Sequence, residues 1–331
     1  MKNIRSLLLS WEALLVLVLI ICIVLGSILS PYFLSAFNFY ALTSNIMEIA
    51  IMALPMTLII IVGEIDLSVE SILGLTSVVL GILWETGHPL WLAIGVALLV
   101  GLAAGWFNGV LITRLALPSL VVTIGTLALY RGLAYVVLGD GAVSNFPTSF
   151  TNLGFGTIGS SEIPWSGLIF AILVLIFAVV LHMSRTGRQL YAMGNNKEAA
   201  RFAGINVKRT KQILFMLSGL IAALAGVIFT ARLSSARPDN AVGFTLDVVA
   251  VVLLGGVNIF GGRGSLLGVV LAIFIVATIQ NILSLSNISG DIQNFVIGLL
   301  LILSVLGPNV ARRIQVTITR RRLAAGSPQR V

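Results

Sequence analysis

The chain is a succession of apolar stretches about as long as the hydrocarbon core of a bilayer is thick. A transmembrane helix needs about 20 mostly apolar residues. Of the 331 residues, 58% are hydrophobic and 10% are charged, too few charges to cover soluble domains. Because a lipid-exposed backbone must satisfy its own hydrogen bonds, long apolar runs predict helices. We expect an all-α, polytopic transmembrane helix bundle, one domain over residues 1–331.

The expected spans lie on both sides of a polar loop at residues 139–162, and a shorter apolar piece is ambiguous. The spans are Ala13–Leu29, Ile46–Val62, Val69–Trp84, Leu90–Ile112, Pro118–Leu138, Trp165–His182, Ile213–Thr230, Leu266–Leu283 and Ile292–Leu306, and the shorter piece is Val248–Leu254.

Basic residues set the expected orientation, because short cytoplasmic loops are rich in lysine and arginine. They cluster near the N-terminus, in residues 185–211 and in the tail 312–331, whereas the loop 139–162 has none. We therefore expect both termini in the cytoplasm and that loop outside. An even number of crossings follows, about ten if the short piece counts as a crossing or half-crossing. The net charge of +8 then marks topology and a tail near anionic lipid, and does not indicate nucleic acid.

The sequence lacks the residues that several kinds of functional site require. Cys22 is the only cysteine, and His88 and His182 belong to no ligand-spaced motif, so we expect no disulfide, metal site or catalytic residue. A membrane-embedded enzyme would need a nucleophile and a base brought together. The phosphate loop Gly-x-x-x-x-Gly-Lys-Ser/Thr is absent. We expect no bound cofactor.

A short acidic break separates the second and third expected spans. Residues 63–71 contain Glu64, Asp66 and Glu70 among glycine and serine. One interpretation is a tight turn at the membrane surface with solvated carboxylates. The other is a broken helix in which Asp66 and free backbone groups line a polar cavity.

A second break has the same pattern, Gly-x-aliphatic-Asp/Asn-aliphatic. Gly255 to Ile259 corresponds to Gly63 to Leu67, and paired breaks at corresponding positions of an internal repeat are typical of transporters. Chance similarity is the competing explanation. The candidate hinge or broken-helix residues are Gly63, Ser68, Gly255, Gly256, Gly261 and Gly262.

The loop 185–211 contains a segment of good helix formers, Lys197 to Ala203, followed by Gly204 as a stop. It predicts a short amphipathic helix at the cytoplasmic surface, and Phe202 beside small alanines is typical of a docking surface. A charged loop that only obeys the positive-inside rule is the alternative.

Polar residues within the spans are few. Asp66, Asn108 and Asn258 are candidates for a translocation path, or else act as helix caps and interhelical hydrogen bonds. Glu48 and Arg131 lie near predicted external ends, where we expect them to extend to the interface.

Taken together, these segments resemble ABC importer permeases. Residues 198–204 are similar to the EAA-x-x-x-G loop of that superfamily, and residues 63–68, 123–132, 235–237 and 254–262 resemble its ribose-type branch, which includes permeases for ribose, arabinose, xylose, rhamnose and the signal autoinducer-2. The Leu-Pro that ends the fuller EAA pattern is missing.

The resemblance implies the permease subunit of an ATP-driven importer that moves a small sugar-like solute across the inner membrane by alternating access. It implies a cytoplasmic ABC ATPase, a second permease subunit, the same or related, and an external solute-binding protein as partners. It implies ATPase coupling by Gly194, Glu198, Ala199, Ala200, Phe202, Gly204, Ile205 and Asn206.

An ion-coupled secondary transporter is the competing hypothesis. Such a protein needs an intramembrane carboxylate or sodium site near the midplane, and Asp66 is its candidate. The sequence itself does not identify the solute.

Overall fold

The computed structural model describes residues 11–159, 161–300 and 302. These residues form helices joined by short loops, with isolated bridges in place of strands. The helices, numbered in chain order, are α1 (Trp11–Leu29), α2 (Ala36–Ile61), α3 (Val69–Glu85), α4 (Leu90–Thr113), α5 (Ser119–Leu138), α6 (Thr148–Phe155), α7 (Trp165–Ala178), α8 (Arg185–Asn195), α9 (Lys197–Phe202), α10 (Val207–Leu233), α11 (Phe244–Leu254), α12 (Leu266–Leu285) and α13, which begins at residue 290 and is described to residue 300.

Two helices, α2 and α10, form the centre of the bundle. Nearly every residue of α2 from Ile46 to Ile61 is buried, as expected for a helix that is apolar on all sides. Helix α10 packs against α2, α3 and α4. By contrast α1 is mostly exposed and packs on α12. The centre of the bundle is therefore protein-packed, and α1 is a peripheral span.

Close contact between α4 and α10 depends on glycine. The Cβ of an alanine at Gly219 would overlap the carbonyl oxygen of Gly101, and one at Gly105 would overlap that of Phe215. Small residues let helix backbones approach in this way in membranes. This contact fixes α10 against α4.

The all-α polytopic bundle predicted from the sequence is confirmed, and about ten crossings is only loosely matched. Seven helices in the described part of the chain are long and apolar enough to cross a membrane. Helix α3 has 17 residues and α11 has 11, because each continues a span that begins in non-helical backbone. The last expected span continues past the described residues, and the N-terminal basic residues and the tail 312–331 lie outside them.

These two broken spans point toward each other. Residues 62–68 lead to α3 from one end of the bundle, where α8 and α9 lie, called here the α9 end. Residues 234–243 lead to α11 from the opposite end, running along α3 from Gly81, which faces Ala236, to Glu70, which faces Gly243. The sequence predicted the first break, which leads into α3, but did not predict the non-helical residues 234–243. The second predicted break, from Gly255, lies after α11.

The two long polar loops contain more helix than the sequence predicted. Helix α9 confirms the short helix predicted at residues 197–203. Helix α8, immediately before it, and α6, in the loop 139–162, were not predicted. Ser184 caps α8 by accepting a hydrogen bond from Gly187 N. Residues 185–211 are called the coupling segment here, after the role that the resemblance implies.

Candidate functional site

Helix α9 is a capped six-residue helix with one buried side and one exposed side. The Asn196 side chain accepts a hydrogen bond from Ala199 N, and the chain leaves the helix at Gly204 with φ of 82°. Ala200 is buried, whereas Phe202 is 89% exposed. An exposed aromatic side chain on a rigid helix is a typical anchor of a protein interface.

The remaining predicted coupling residues flank α9. Glu198 and Ala199 are exposed, and Ile205 packs on the core. Asn206 caps α10 by accepting a hydrogen bond from Arg209 N. Ala200 and Ile205 therefore hold α9 against the bundle, and Glu198, Ala199 and Phe202 face outward.

Gly194, at the end of α8, lies where both breaks meet. The N–H of Gly262 donates a 2.8 Å hydrogen bond to Ile61 O at the end of α2. A Cβ at Gly194 would overlap both Ile61 O and Gly262 N. Tyr191, one turn earlier in α8, donates from its hydroxyl to Gly264 O at 2.7 Å. The coupling segment thus contacts the second break directly and the first through Ile61.

Glu64 connects the coupling segment to the first break by side chains. Its carboxylate accepts a 2.8 Å hydrogen bond from Lys197 Nζ on α9 and forms an ion pair with Lys211 of α10. Burial raises the pKa of Glu64, but the hydrogen bonds from the two lysines outweigh it and hold the pKa below its ordinary value. Sequence reasoning noted Glu64 without assigning it a role.

Asp66 belongs to a buried polar network. One carboxylate oxygen accepts from Ser68 N at 3.0 Å and Ser68 Oγ at 2.6 Å, and the other accepts from Ser218 Oγ at 2.8 Å. Asn108 Nδ2 donates to Ser68 Oγ at 2.8 Å, and the Tyr130 hydroxyl lies 3.2 Å from Asn108 Oδ1. Ser218 lies about 16 Å along an α10 that is about 40 Å long. The first break therefore carries Asp66 into the interior of the bundle.

Asn258, the third candidate for the path, lies apart from Asp66 and Asn108. It is exposed in the loop after α11, where its side-chain oxygen accepts a 2.9 Å hydrogen bond from Phe260 N. The structure brings Asp66 and Asn108 together and places Asn258 at the α9 end.

The candidate hinge residues divide between two positions. Gly63 has φ of 74° and borders Phe260 O, and Gly261 and Gly262 adjoin Ile61, so these three lie at the contact between the breaks. Gly255 and Gly256 pack against α12 and Trp11 respectively. Ser68 is part of the Asp66 network.

The two broken spans meet at Glu70, on the first turn of α3. Its carboxylate accepts from the N–H groups of Gly243 and Thr245, each at 3.0 Å, at the start of α11. A carboxylate is favourable there because helix N-termini carry unsatisfied donors and positive partial charge. The Thr245 hydroxyl donates to Leu67 O at 3.2 Å. Sequence reasoning missed this contact.

Glu48 and Arg131 do not extend to the interface, so that expectation was wrong. Glu48 has no exposed surface and accepts hydrogen bonds from Arg232 at 2.8 and 3.4 Å. Arg131 donates to Pro238 O and Asn240 O and lies 3.7 Å from Glu70. Both charges face inward because each has a partner from another helix or loop, which hydropathy alone does not reveal.

A cavity of about 1020 Å³ opens beside α9. Its walls are the first break, the connection between α4 and α5, α9 and the start of α10. Basic side chains outnumber acidic ones in its lining: Lys197, Arg201, Lys208 and Lys211 against Glu64 and Glu198.

In the described part of the chain, no three His, Cys, Asp or Glu side chains cluster as metal ligands would.

Comparison with known proteins gives a family and several relatives. The family model described as branched-chain amino acid transport system / permease component matches residues 38–305. The autoinducer 2 import system permease protein LsrD of Klebsiella pneumoniae subsp. pneumoniae is 37% identical over 322 residues, 95% of this chain and 96% of that protein.

Two further relatives carry the same name. The protein of Yersinia enterocolitica is 36% identical and covers 81% of this chain and 82% of its own. That of Photorhabdus laumondii subsp. laumondii is 34% identical and covers 91% of this chain and 92% of its own. No solved structure is significantly similar to the chain.

Proposed function

This chain belongs to the permease family of ABC importers, in its ribose-type branch, and from that premise we propose how it moves its solute. It is the membrane subunit of an importer for a sugar-like solute. The mechanism proposed is alternating access driven by α9. One observation carries the proposal: the coupling segment is bonded to both breaks, to the first through Glu64 and to the second through Gly264.

The solute proposed is autoinducer 2 or a chemically similar small polyhydroxylated molecule. The relatives are autoinducer 2 import permeases by name. A neutral, hydroxyl-rich solute needs hydrogen-bonding groups and no fixed charge along its path. Three carboxylates inside this bundle, Asp66, Glu48 and Glu70, are already paired or hydrogen-bonded. Asp66 and Asn108 remain our candidates for shaping that path at depth, and Asn258 at the α9 end.

The partner proposed for α9 is a separate cytoplasmic ABC ATPase, which hydrolyses the ATP. The outward-facing side of α9 carries Glu198, Ala199 and Phe202, a small surface with an aromatic anchor suited to a groove. A second permease subunit, the same or related, and an external solute-binding protein complete the importer. The proposed coupling residues are Gly194, Glu198, Ala199, Ala200, Phe202, Gly204, Ile205 and Asn206.

The α9 end is proposed to face the cytoplasm. The coupling segment carries many of the chain's basic residues, which favour the cytoplasmic side. With this orientation α10 crosses outward and α11 returns halfway through the membrane. Both termini are then cytoplasmic in the inner membrane.

The movement proposed begins when ATP binding closes the two ATPase subunits. Helix α9, capped at both ends, then moves as a rigid body with its ATPase. The first break moves with it through Glu64, and the second through Gly262 and Gly264. Because the first break leads into α3 and the second follows α11, moving them changes the packing where α3 and α11 meet head to head.

Uptake into vesicles tests this proposal against the ion-coupled alternative. The chain would be reconstituted with its ATPase and binding protein, and uptake of labelled autoinducer 2 measured with ATP inside or outside and with ionophores. We expect uptake that requires ATP on the α9 side and is unaffected by collapse of ion gradients. Uptake driven by a sodium or proton gradient in vesicles without the ATPase would contradict it and favour the alternative.

A further inference from the structure

Glu64 is a buried carboxylate held between two elements of the coupling segment. Its side chain is 8% exposed. Lys197, on α9, is 45% exposed, and Lys211, on α10, is 16% exposed. Lys211 therefore fastens the first break to a span, and Lys197 fastens it to the short helix that faces outward.

The space beside this contact is open. The cavity of about 1020 Å³ separates α9 and the start of α10 from the connection between α4 and α5. Packed side chains transmit displacement because interiors are dense, but a cavity leaves few atoms in contact to do so. On this side of α9, the hydrogen bond between Lys197 and Glu64 joins the helix to the first break.

The break that contains Glu64 also contains Asp66. Only Ile65 separates Glu64 from Asp66, whose carboxylate accepts a hydrogen bond from Ser218 at depth. The backbone between them is non-helical, and Ile65 N donates to Ser119 Oγ at 3.3 Å. A short non-helical segment therefore connects the Glu64 carboxylate to the polar network around Asp66.

We propose that Glu64 is a positioning residue that transmits the movement of α9 to the first break. This inference rests on the proposed function and deepens it. The Lys197 contact makes solute movement depend on ATP hydrolysis, and the Lys211 contact keeps the carboxylate in place while α9 moves. Loss of the Lys197 contact leaves the ATPase docked on α9 and uncouples hydrolysis from transport.

The test compares three variants in the complete reconstituted importer. Lys197→Gln removes the α9 half of the contact and leaves Glu64 paired with Lys211, so the fold is preserved. Glu64→Gln removes the shared carboxylate. Lys208→Gln is the matched control, because Lys208 lines the same cavity without contacting Glu64. Co-purification of the ATPase, ATP hydrolysis and solute uptake are measured for each.

We expect Lys197→Gln and Glu64→Gln to bind the ATPase and hydrolyse ATP normally while solute moved per ATP falls by about fivefold or more, the lower end of typical coupling between sites. Lys208→Gln keeps the ratio of the unaltered chain. Restoring it with Lys197→Arg, which keeps the charge and reach, supports a positioning role. An unchanged ratio in Lys197→Gln would overturn the inference, whereas absence of ATP-driven uptake by the unaltered chain would overturn the proposed function itself.

Discussion

Arg232 Nε donates a 2.8 Å hydrogen bond to the carboxylate of Glu48, joining the end of α10 to the middle of α2. The guanidinium also lies 5.3 Å from the centre of the Phe229 ring and donates to Asn45 Oδ1 at 3.2 Å. Glu48 itself has no exposed surface. The two central helices of the bundle are therefore joined by a buried ion pair at the end opposite α9.

Arg232→Ala should strongly destabilise the protein. Removing one partner of a buried pair leaves the other charge unpaired, at a cost of about 3–5 kcal/mol. Thermal unfolding of the detergent-solubilised protein measures the effect. Arg237→Ala is the control, because Arg237 pairs with Asp239 in an exposed loop, and we expect no measurable change there. Equal unfolding temperatures for the two variants would show that the Glu48 pair does not hold α2 to α10.

Gly219→Ala should weaken the contact between α4 and α10. The added methyl group would overlap Gly101 O, and overpacking of this kind costs about 1–3 kcal/mol. Gly95→Ala, on α4, adds a methyl group with no atom within 4 Å and should be neutral. Both are measured as yield of folded protein and unfolding temperature. A fully stable Gly219→Ala protein would contradict the close approach of the two backbones.

The stabilising effect of Glu64 should disappear in acid. Its pKa is held below the ordinary value of 4.5 in the folded protein, so the unfolded chain binds the proton more readily. The contribution is then fully present above the unfolded pKa and is lost as pH falls through the folded one. The difference in unfolding temperature between the unaltered chain and Glu64→Gln should be constant near neutral pH and shrink below pH 4.5. A difference that grows on acidification would contradict the lowered pKa.

Single cysteines should show the two ends of the bundle on opposite sides of the membrane. After Cys22→Ala removes the native thiol, Ala203→Cys places a thiol after α9 and Ser144→Cys places one in the loop before α6, both at exposed positions. A membrane-impermeant maleimide added outside intact cells should label Ser144→Cys alone, and Ala203→Cys only after the cells are opened. External labelling of Ala203→Cys would reverse the proposed orientation.

The spans could be predicted from the sequence because the bilayer imposes their length and apolar character, and α9 because its helix formers are followed by Gly204. The nearness of Asp66 and Asn108 follows the expectation that polar groups in spans find one another. The contact of Glu70 with Gly243 could not be predicted, since it joins residues 173 apart along the chain whose approach depends on how the spans pack. Hydropathy predicts how far along a helix Glu48 and Arg131 lie. It does not predict which side of the helix they are on, and therefore does not predict their buried partners.

Capture of the ATPase by the solubilised chain tests the central claim, that α9 couples this permease to a separate motor. Phe202→Ala removes the exposed aromatic side chain of α9 and leaves the fold unchanged, because the side chain is 89% exposed. Phe155→Ala, at an exposed aromatic residue of α6, is the control. We predict that an ABC ATPase co-purifies with the unaltered chain and with Phe155→Ala and is lost or strongly reduced with Phe202→Ala. Undiminished capture by Phe202→Ala, or recovery of the unaltered chain without any ATPase, would contradict the account.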